Sequence, residues 1–174
     1  MEYEFTLKFM LAPDDADADE IVERLGEVGC NDALVGIGQT GRIALEFTRE
    51  ADSAKQAILT ALEEAKDAIP GAKLVEIAPD FVGLSDVAEL VGVTRQNMRK
   101  LMLAHKESFP VALHEGSVVL WHLSPVLKWL EEHANYQIKP SLIEVAHMTM
   151  QINLAKEANL MERRIQREVV ELVA

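Results

Sequence analysis

The feature that most constrains this chain is Leu84–Leu101, LSDVAELVGVTRQNMRKL, which predicts two short helices joined by a tight turn. Gly92 is expected to end the first helix, because glycine readily adopts the positive φ found at many helix ends. Ser85 and Thr94 are each expected to cap a helix, since a hydroxyl oxygen accepts an unpaired backbone amide there. A helix-turn-helix of this kind can present its second helix to a DNA groove.

The second helix carries polar residues suited to nucleic-acid contact on its outward face, while Met98 and Leu101 are expected to face the core. Arg, Gln and Asn can read base edges, and Lys and Arg neutralise phosphates. The predicted DNA-facing residues here are Ser85, Thr94, Arg95, Gln96, Asn97, Arg99, Lys100 and Lys106. Base contact is expected chiefly from the first turn of the helix, and phosphate contact from Arg99 and Lys100. The alternative is an ordinary helical domain whose polar face is only solvated.

The residues after this pair of helices carry a family resemblance. The ordered features are Gly92-Val93-Thr94, the basic helix, Phe109-Pro110, a hairpin turned at Glu115-Gly116 and closed by Trp121, and a helix to Trp129-Leu130 that begins with Ser124 as its N-cap and Pro125 as its first residue. This order resembles the winged helix-turn-helix of the excisionase and MerR-like superfamily over about 82–132. The resemblance implies that the second helix lies in the major groove, with His114 and Ser117 at the wing tip. The wing departs from a basic pattern because it carries Glu115 and no Lys or Arg, and both tryptophans are expected in the core.

Residues 1–80 are predicted to form a separate α+β domain. Apolar residues alternate with polar ones from Tyr3 to Phe9, which indicates a half-buried strand. An acidic loop at 13–19, a helix, strands at 33–37 and 42–48, a helix beginning at Ser53 and a last strand at 72–78 complete a βαββαβ order. That order is typical of a ferredoxin-like sandwich. The match to G-x-G-x-x-G at 36–41 is interpreted as a hairpin turn, because a strand rather than a helix follows it.

The charge is distributed unevenly along the chain. The net charge of −12 arises almost entirely from residues 1–80, which hold 18 acidic and 7 basic residues, whereas Val91–Lys106 holds four basic residues and no acidic one. A local positive face is therefore predicted on the second helix. Cys30, the one cysteine, is expected to be a buried structural thiol, and the five histidines lack metal-site spacing. We expect no enzyme activity, cofactor, metal, secretion signal or membrane span, and a cytoplasmic location.

The last third of the chain predicts a long helix over 140–174, in which Ser141 and Glu144 form a capping box. Its predicted dimerisation stripe includes Ile143, Met150, Leu154, Met161, Ile165 and Leu172. A helix of this length projects beyond a small domain, so we expect a homodimer. The alternative is that the helix folds back across the chain's own sheet or winged domain.

The sequence therefore predicts an α+β protein with a ferredoxin-like domain at 1–80, a winged helix-turn-helix at 81–134 and a dimerisation helix at 140–174. The expected function is that of a transcriptional repressor that binds an inverted repeat in double-stranded DNA as a homodimer. The N-terminal domain is expected to bind a small-molecule effector or a protein partner. Two alternatives stay open: an antitoxin-type or protein-interaction regulator acting mainly through the N-terminal domain, and an excisionase-like architectural DNA-binding factor.

Overall fold

The computed structural model of the chain describes residues 1–13, 17–36, 38–170 and 172, which form a mixed α+β structure. Three predicted features lie partly outside these residues: the acidic loop predicted at 13–19, at residues 14–16; the second strand, at its end, Ile37; and the last helix, at residues 171 and 173–174. Within them are seven strands: β1 (Glu2–Met10), β2 (Ala33–Gly36), β3 (Arg42–Glu50), β4 (Lys73–Ala78), β5 (Phe81–Val82), β6 (His114–Glu115) and β7 (Val119–His122). The helices are α1 (Ala18–Glu27), α2 (Ala54–Ala68), α3 (Leu84–Leu90), α4 (Arg95–Ala104), α5 (Leu123–Ala134), α6 (Pro140–Ala158) and α7 (Arg163–Val169).

The first four strands form one antiparallel sheet in the order β2-β3-β1-β4. Alternate residues of β1 and β3 are buried, as their patterns predict, and the stacked rings of Phe5 and Phe47 lie 5.0 Å apart on adjacent strands. Helices α1, α2 and α6 contribute to the core on this face of the sheet. The glycine-rich segment at 36–41 joins β2 to β3, and Gly41 has a φ of +76°, so the prediction of a hairpin turn is confirmed.

A second hydrophobic cluster lies between α3, α4, α5 and a small antiparallel sheet of order β5-β7-β6. Met98 of α4 is fully buried in it with Val87 of α3 and Leu127 of α5. Trp121 and Trp129 are also buried, so the prediction that both are core residues is confirmed. The two clusters are joined by α6, whose Val145 belongs to the first and Ala146 to the second.

The prediction of one long C-terminal helix is wrong. Helix α6 ends at Ala158, and the much shorter α7 begins at Arg163. The inward face of α6 packs on α2, β1, β4 and α5, as in the alternative that folds the helix back. Its last fully buried residue is Asn153, so the residues beyond lack the tertiary packing that supplies most helical stability, and Asn159 is a weak helix former. Within the described residues, no helix combines the length and apolar character needed to cross a bilayer.

Three predicted helix caps are also wrong. Helix α3 begins one residue before Ser85, and its first turn is capped by the Asp86 carboxylate, which accepts the Gly83 amide at 2.7 Å. Ser124 lies inside α5, whose N-cap position is His122. Ser141 lies inside α6, and Glu144 accepts hydrogen bonds from the Tyr3 hydroxyl and the Ala54 amide of other elements. A carboxylate that serves a tertiary contact is no longer available to cap its own helix.

Candidate nucleic-acid interface

Helices α3 and α4 are joined by a turn over 91–94 whose geometry follows from two residues. Gly92 has a φ of +73°, where a side chain would be strained, and this allows the Val93 amide to donate back to the Ala88 carbonyl at 2.8 Å. Thr94 then caps α4, because its Oγ1 accepts the Asn97 amide at 3.2 Å. The predictions that Gly92 ends α3 and that Thr94 caps α4 are both confirmed. The turn thus fixes the orientation of α4 relative to α3.

The outward face of α4 is polar and exposed from Arg95 to Lys100, and exposed Leu103 and Ala104 follow at the end of the helix. Buried Met98 anchors the opposite face, so the side chains that point to solvent are Arg95, Gln96, Asn97, Arg99 and Lys100. Four cationic side chains here make no ion pair or side-chain hydrogen bond within the described residues. They are Arg95, Arg99, Lys100 and the nearby Lys106. Four cations therefore have their full charge and donor capacity available for an external anion.

The hairpin β6–β7 lies where the wing is predicted and is called the wing below; its tip is at 116–118. His114 and Ser117 are exposed there, and the His114 ring lies over the turn, where a Cβ on Gly116 would come within 2.6 Å of His114 Nε2. Apolar side chains are also exposed on and beside the wing: Val111 is 91% exposed and Val118 is 58% exposed. The wing thus offers a glutamate, an imidazole and apolar groups to a partner, and no permanent cation.

A groove of about 990 Å³ separates α4 from the wing. It brings together four residues of the predicted interface, Ser85, Arg95, Arg99 and Ser117. The remaining predicted residues are exposed but do not line this groove: Thr94, Gln96, Asn97, Lys100, Lys106 and His114. Asp86 and Glu115 also line it, so the groove carries groups of both charges, while Lys100 and Lys106 lie outside it.

The wing and α4 are held by an aromatic cluster centred on Phe109. The Phe109 ring makes edge contacts with Trp121 and Trp129 at centroid distances of 6.0 and 5.0 Å. Each indole also donates a hydrogen bond to the segment before the wing, from Trp121 Nε1 to the Pro110 carbonyl at 3.0 Å and from Trp129 Nε1 to Ser108 Oγ at 3.3 Å. Buried indoles with satisfied N–H groups make rigid anchors, so the wing is fixed relative to the helices.

A buried polar junction, which the sequence did not reveal, connects this unit to the first sheet. Asp80 is fully buried; its Oδ1 lies 2.8 Å from His122 Nδ1 of β7, and its Oδ2 accepts Asn153 Nδ2 of α6 at 2.8 Å. Asn153 also pairs with both backbone groups of Ile77, at 3.0 and 2.8 Å. Thr149 donates to the Pro79 carbonyl at 2.7 Å. Residues 42 to 76 positions away in the chain thus hold the segment 77–80 between the two hydrophobic clusters.

A second polar cluster, on the first sheet, could hold a metal only if its own arginine moved. Cys30, Asp32 and Glu64 offer ligand atoms within 4.8 Å of one another. Arg49 already fills this position, with hydrogen bonds of 2.6–2.7 Å to both carboxylates. Burial raises the pKa of the Cys30 thiol to about 11, and the Arg49 guanidinium lowers the pKa of Asp32. The prediction that Cys30 is a buried thiol is confirmed, and the cluster is an internal ion-pair network.

Comparison with known proteins adds no relative: no family model, curated protein or solved structure matches this chain. The function of the chain therefore has to be inferred from the geometry and chemistry of its own residues.

Proposed function

We propose that this chain is a cytoplasmic, sequence-specific DNA-binding regulator that represses transcription as a homodimer. The observation that carries the proposal is the outward face of α4. It presents Arg95, Gln96, Asn97, Arg99 and Lys100 on a helix that is capped at Thr94 and anchored by Met98, and its cations have no partner among the described residues. Side chains of these types can read base edges and neutralise phosphates.

The fold supports the same proposal. The element order from α3 to α5, with a hairpin between α4 and α5 and β5 paired to β7, supports our assignment of a winged helix-turn-helix. The strand order β2-β3-β1-β4, with helices after β1 and β3, supports our assignment of a ferredoxin-like sheet to the N-terminal domain. This domain carries most of the acidic residues, and phosphates repel an acidic surface, so DNA contact is assigned to α4 and the wing.

Self-association is assigned to the end of α6 and to α7. Apolar side chains remain exposed along this segment at Leu154, Met161, Ile165 and Leu172, whereas Ile143 and Met150, nearer the core, are half-buried. A two-fold dimer would place two copies of α4 on half-sites about 34–36 Å apart. Sedimentation equilibrium should give the mass of a dimer at micromolar concentration, and Ile165→Glu should give a monomer. The exposed substitution Gln151→Glu is the charge-matched control, and a wild-type monomer would contradict this assignment.

The experiment that tests the proposal is binding of the purified chain to DNA from its own upstream region and to random DNA of equal length. Fluorescence anisotropy at about 50 mM and 200 mM salt separates specific from electrostatic binding, because affinity falls with the number of phosphates neutralised. We expect tighter binding to the upstream DNA at both salt concentrations. Equal affinity for both DNAs would contradict a sequence-specific regulator.

A second candidate is a regulator that acts through a protein partner, and the wing favours it. Val111, Leu113 and Val118 are exposed beside Glu115, a composition that suits a protein surface better than a phosphate backbone. Under this alternative, Val118→Ser would impair regulation in cells and leave DNA affinity unchanged. Under the DNA-binding proposal, loss of regulation accompanies loss of DNA affinity.

A further inference from the structure

One edge of β1 is open, and the hydrogen-bond pattern of the strand shows which backbone groups face it. The Met1 nitrogen donates to the Ala51 carbonyl at 3.0 Å, and the Ala51 amide donates to the Met1 carbonyl at 3.1 Å. Met1 therefore directs its backbone groups towards the β3 side. Because backbone groups alternate between the two edges of a strand, those of Glu2 and Glu4 point to the opposite edge, on the side of β4.

Strand β4 ends before it reaches these groups. Its last residue, Ala78, pairs with Thr6, and the described residues include no strand that pairs with Glu2 or Glu4 on that edge. The outer edge of β4 is treated differently, because Asn153 covers both backbone groups of Ile77 and Lys156 Nζ donates to the Val75 carbonyl at 2.6 Å. The fold thus covers the edge of β4 with side chains and leaves the edge of β1 free.

The free edge of β1 opens into a groove of about 610 Å³, which is lined by two kinds of surface. Half-buried Leu142 of α6 supplies apolar surface, and Val145, which is only 1% exposed, lines the groove from the hydrophobic core on the helix-covered side of the sheet. Glu2, Glu4 and Glu89 supply carboxylates, with Lys139 as the one cationic side chain among the lining residues. Leu90, Val91 and Gly92, at the end of α3 and in the turn before α4, form the far wall.

We propose that this groove binds an extended peptide segment by strand addition, with the segment antiparallel to β1 and in line with β4. Backbone groups of the segment pair with those of Glu2 and Glu4, as a strand added to a sheet edge does. Side chains of the segment that lie opposite Glu2 and Glu4 are basic, because directly opposed charges of opposite sign attract across a strand pair. The intervening side chains point to Leu142 and Val145 and are apolar. The ligand is therefore a short segment in which basic and apolar residues alternate.

The proposal extends beyond DNA binding and does not depend on it. A bound segment would contact the sheet of one hydrophobic cluster and the helix-turn-helix of the other, so its binding would be linked to the position of α4. Any equilibrium effect of the segment on DNA affinity must be matched by an equal effect of DNA on segment affinity. The groove thus provides a route by which a protein partner could regulate α4.

The test uses the full chain and an acetylated, amidated peptide of the sequence Lys-Val-Lys-Val-Lys, with binding followed by NMR. Two N-methylated derivatives of this peptide, which are isomers of each other, are compared with it. One is N-methylated at both valines and the other at the second and third lysines. Only the lysine N–H groups face β1, because the lysines lie opposite Glu2 and Glu4, whose backbone groups face the segment. We expect the parent peptide to bind at or below about 1 mM. The isomer N-methylated at the valines should keep that affinity, while the isomer N-methylated at the lysines has lost the pairing N–H groups and should bind about tenfold more weakly.

A matched pair of protein variants locates the site. Glu2→Gln with Glu4→Gln should weaken binding about tenfold, whereas Glu23→Gln with Glu27→Gln, on exposed positions of α1, removes the same charge and should leave binding unchanged. Equal binding of both N-methylated isomers would show that charge alone attracts the peptide and would overturn strand addition. Absence of binding by the parent peptide, or equal loss in both protein variants, would also overturn the proposal.

Discussion

Arg49 and Arg99 show how differently the two parts of this molecule use the same side chain. Arg49 lies on the first sheet with its side chain only 11% exposed; it donates to Asp32, Glu64 and Thr60, and its guanidinium lies 5.0 Å from the centre of the Phe47 ring. Arg99 lies exposed on α4 and has no such partner among the described residues. A satisfied cation stabilises the fold, whereas an unpaired one remains available for binding. Substitution of internally paired residues such as Arg49 should therefore lower stability, whereas substitution of exposed, unpaired residues such as Arg99 should weaken binding.

The largest expected effect is a loss of folding stability when Asn153, which is buried and hydrogen-bonded, is replaced. Asn153→Ala would leave the amide and carbonyl of Ile77 and one oxygen of Asp80 without their buried partner. Since each unsatisfied buried group carries a desolvation cost, we expect the free energy of unfolding to fall by about 3 kcal/mol. Urea denaturation measures this change. Gln151→Ala, at an exposed position of the same helix, is the control, and equal effects of the two substitutions would contradict the buried network.

A smaller loss of stability is expected at Arg49, together with a particular pH dependence. Arg49→Met leaves Asp32 and Glu64 without their cation, and because both are partly exposed we expect a loss of about 2 kcal/mol at pH 7. Arg49 lowers the pKa of Asp32 in the folded protein. The stabilisation from Asp32 is therefore present above its unfolded pKa of about 3.9 and is lost as the pH falls through the folded pKa.

Urea denaturation at several pH values tests the Arg49 prediction. The difference between the wild type and Arg49→Met should be largest near neutral pH and should shrink below about pH 4. The control is Lys128→Ala, which removes a cation from an exposed pair with Glu132. A difference between wild type and Arg49→Met that stays constant to pH 2 would contradict the ion-pair network.

Local sequence patterns predicted the elements well where one interaction determines them. Alternation from Tyr3 to Phe9 is enough to specify β1, and Gly92 with Thr94 specifies the turn before α4. The predictions failed where a distant residue competes for the same group. Glu144, which matches a capping box, instead accepts the Tyr3 hydroxyl, and no local pattern shows that preference.

The candidate site was predictable to the same extent. The exposed residues of α4 follow from helical periodicity once Met98 is assigned to the core. The junction of Asp80, His122 and Asn153 was not predictable, because its members lie on three elements and none is part of a local motif. The break after Ala158 was also missed, since the sequence has no glycine or proline there and the cause is the loss of packing beyond Asn153.

The smallest structural change gives the most direct test of the central claim, that the free face of α4 reads DNA. Asn97→Ala and Lys100→Ala both alter exposed side chains, so neither should change stability by more than about 0.5 kcal/mol. Affinity for upstream and random DNA would be measured across a salt series, with Lys128→Ala as the control.

We predict that Asn97→Ala loses preference for the upstream DNA by about 1–3 kcal/mol while its salt dependence is unchanged. Lys100→Ala should weaken binding to both DNAs alike and reduce the salt slope by about one. Lys128→Ala should match the wild type. Equal losses on both DNAs for Asn97→Ala and Lys100→Ala, or no loss for either, would contradict the claim that α4 is the reading helix.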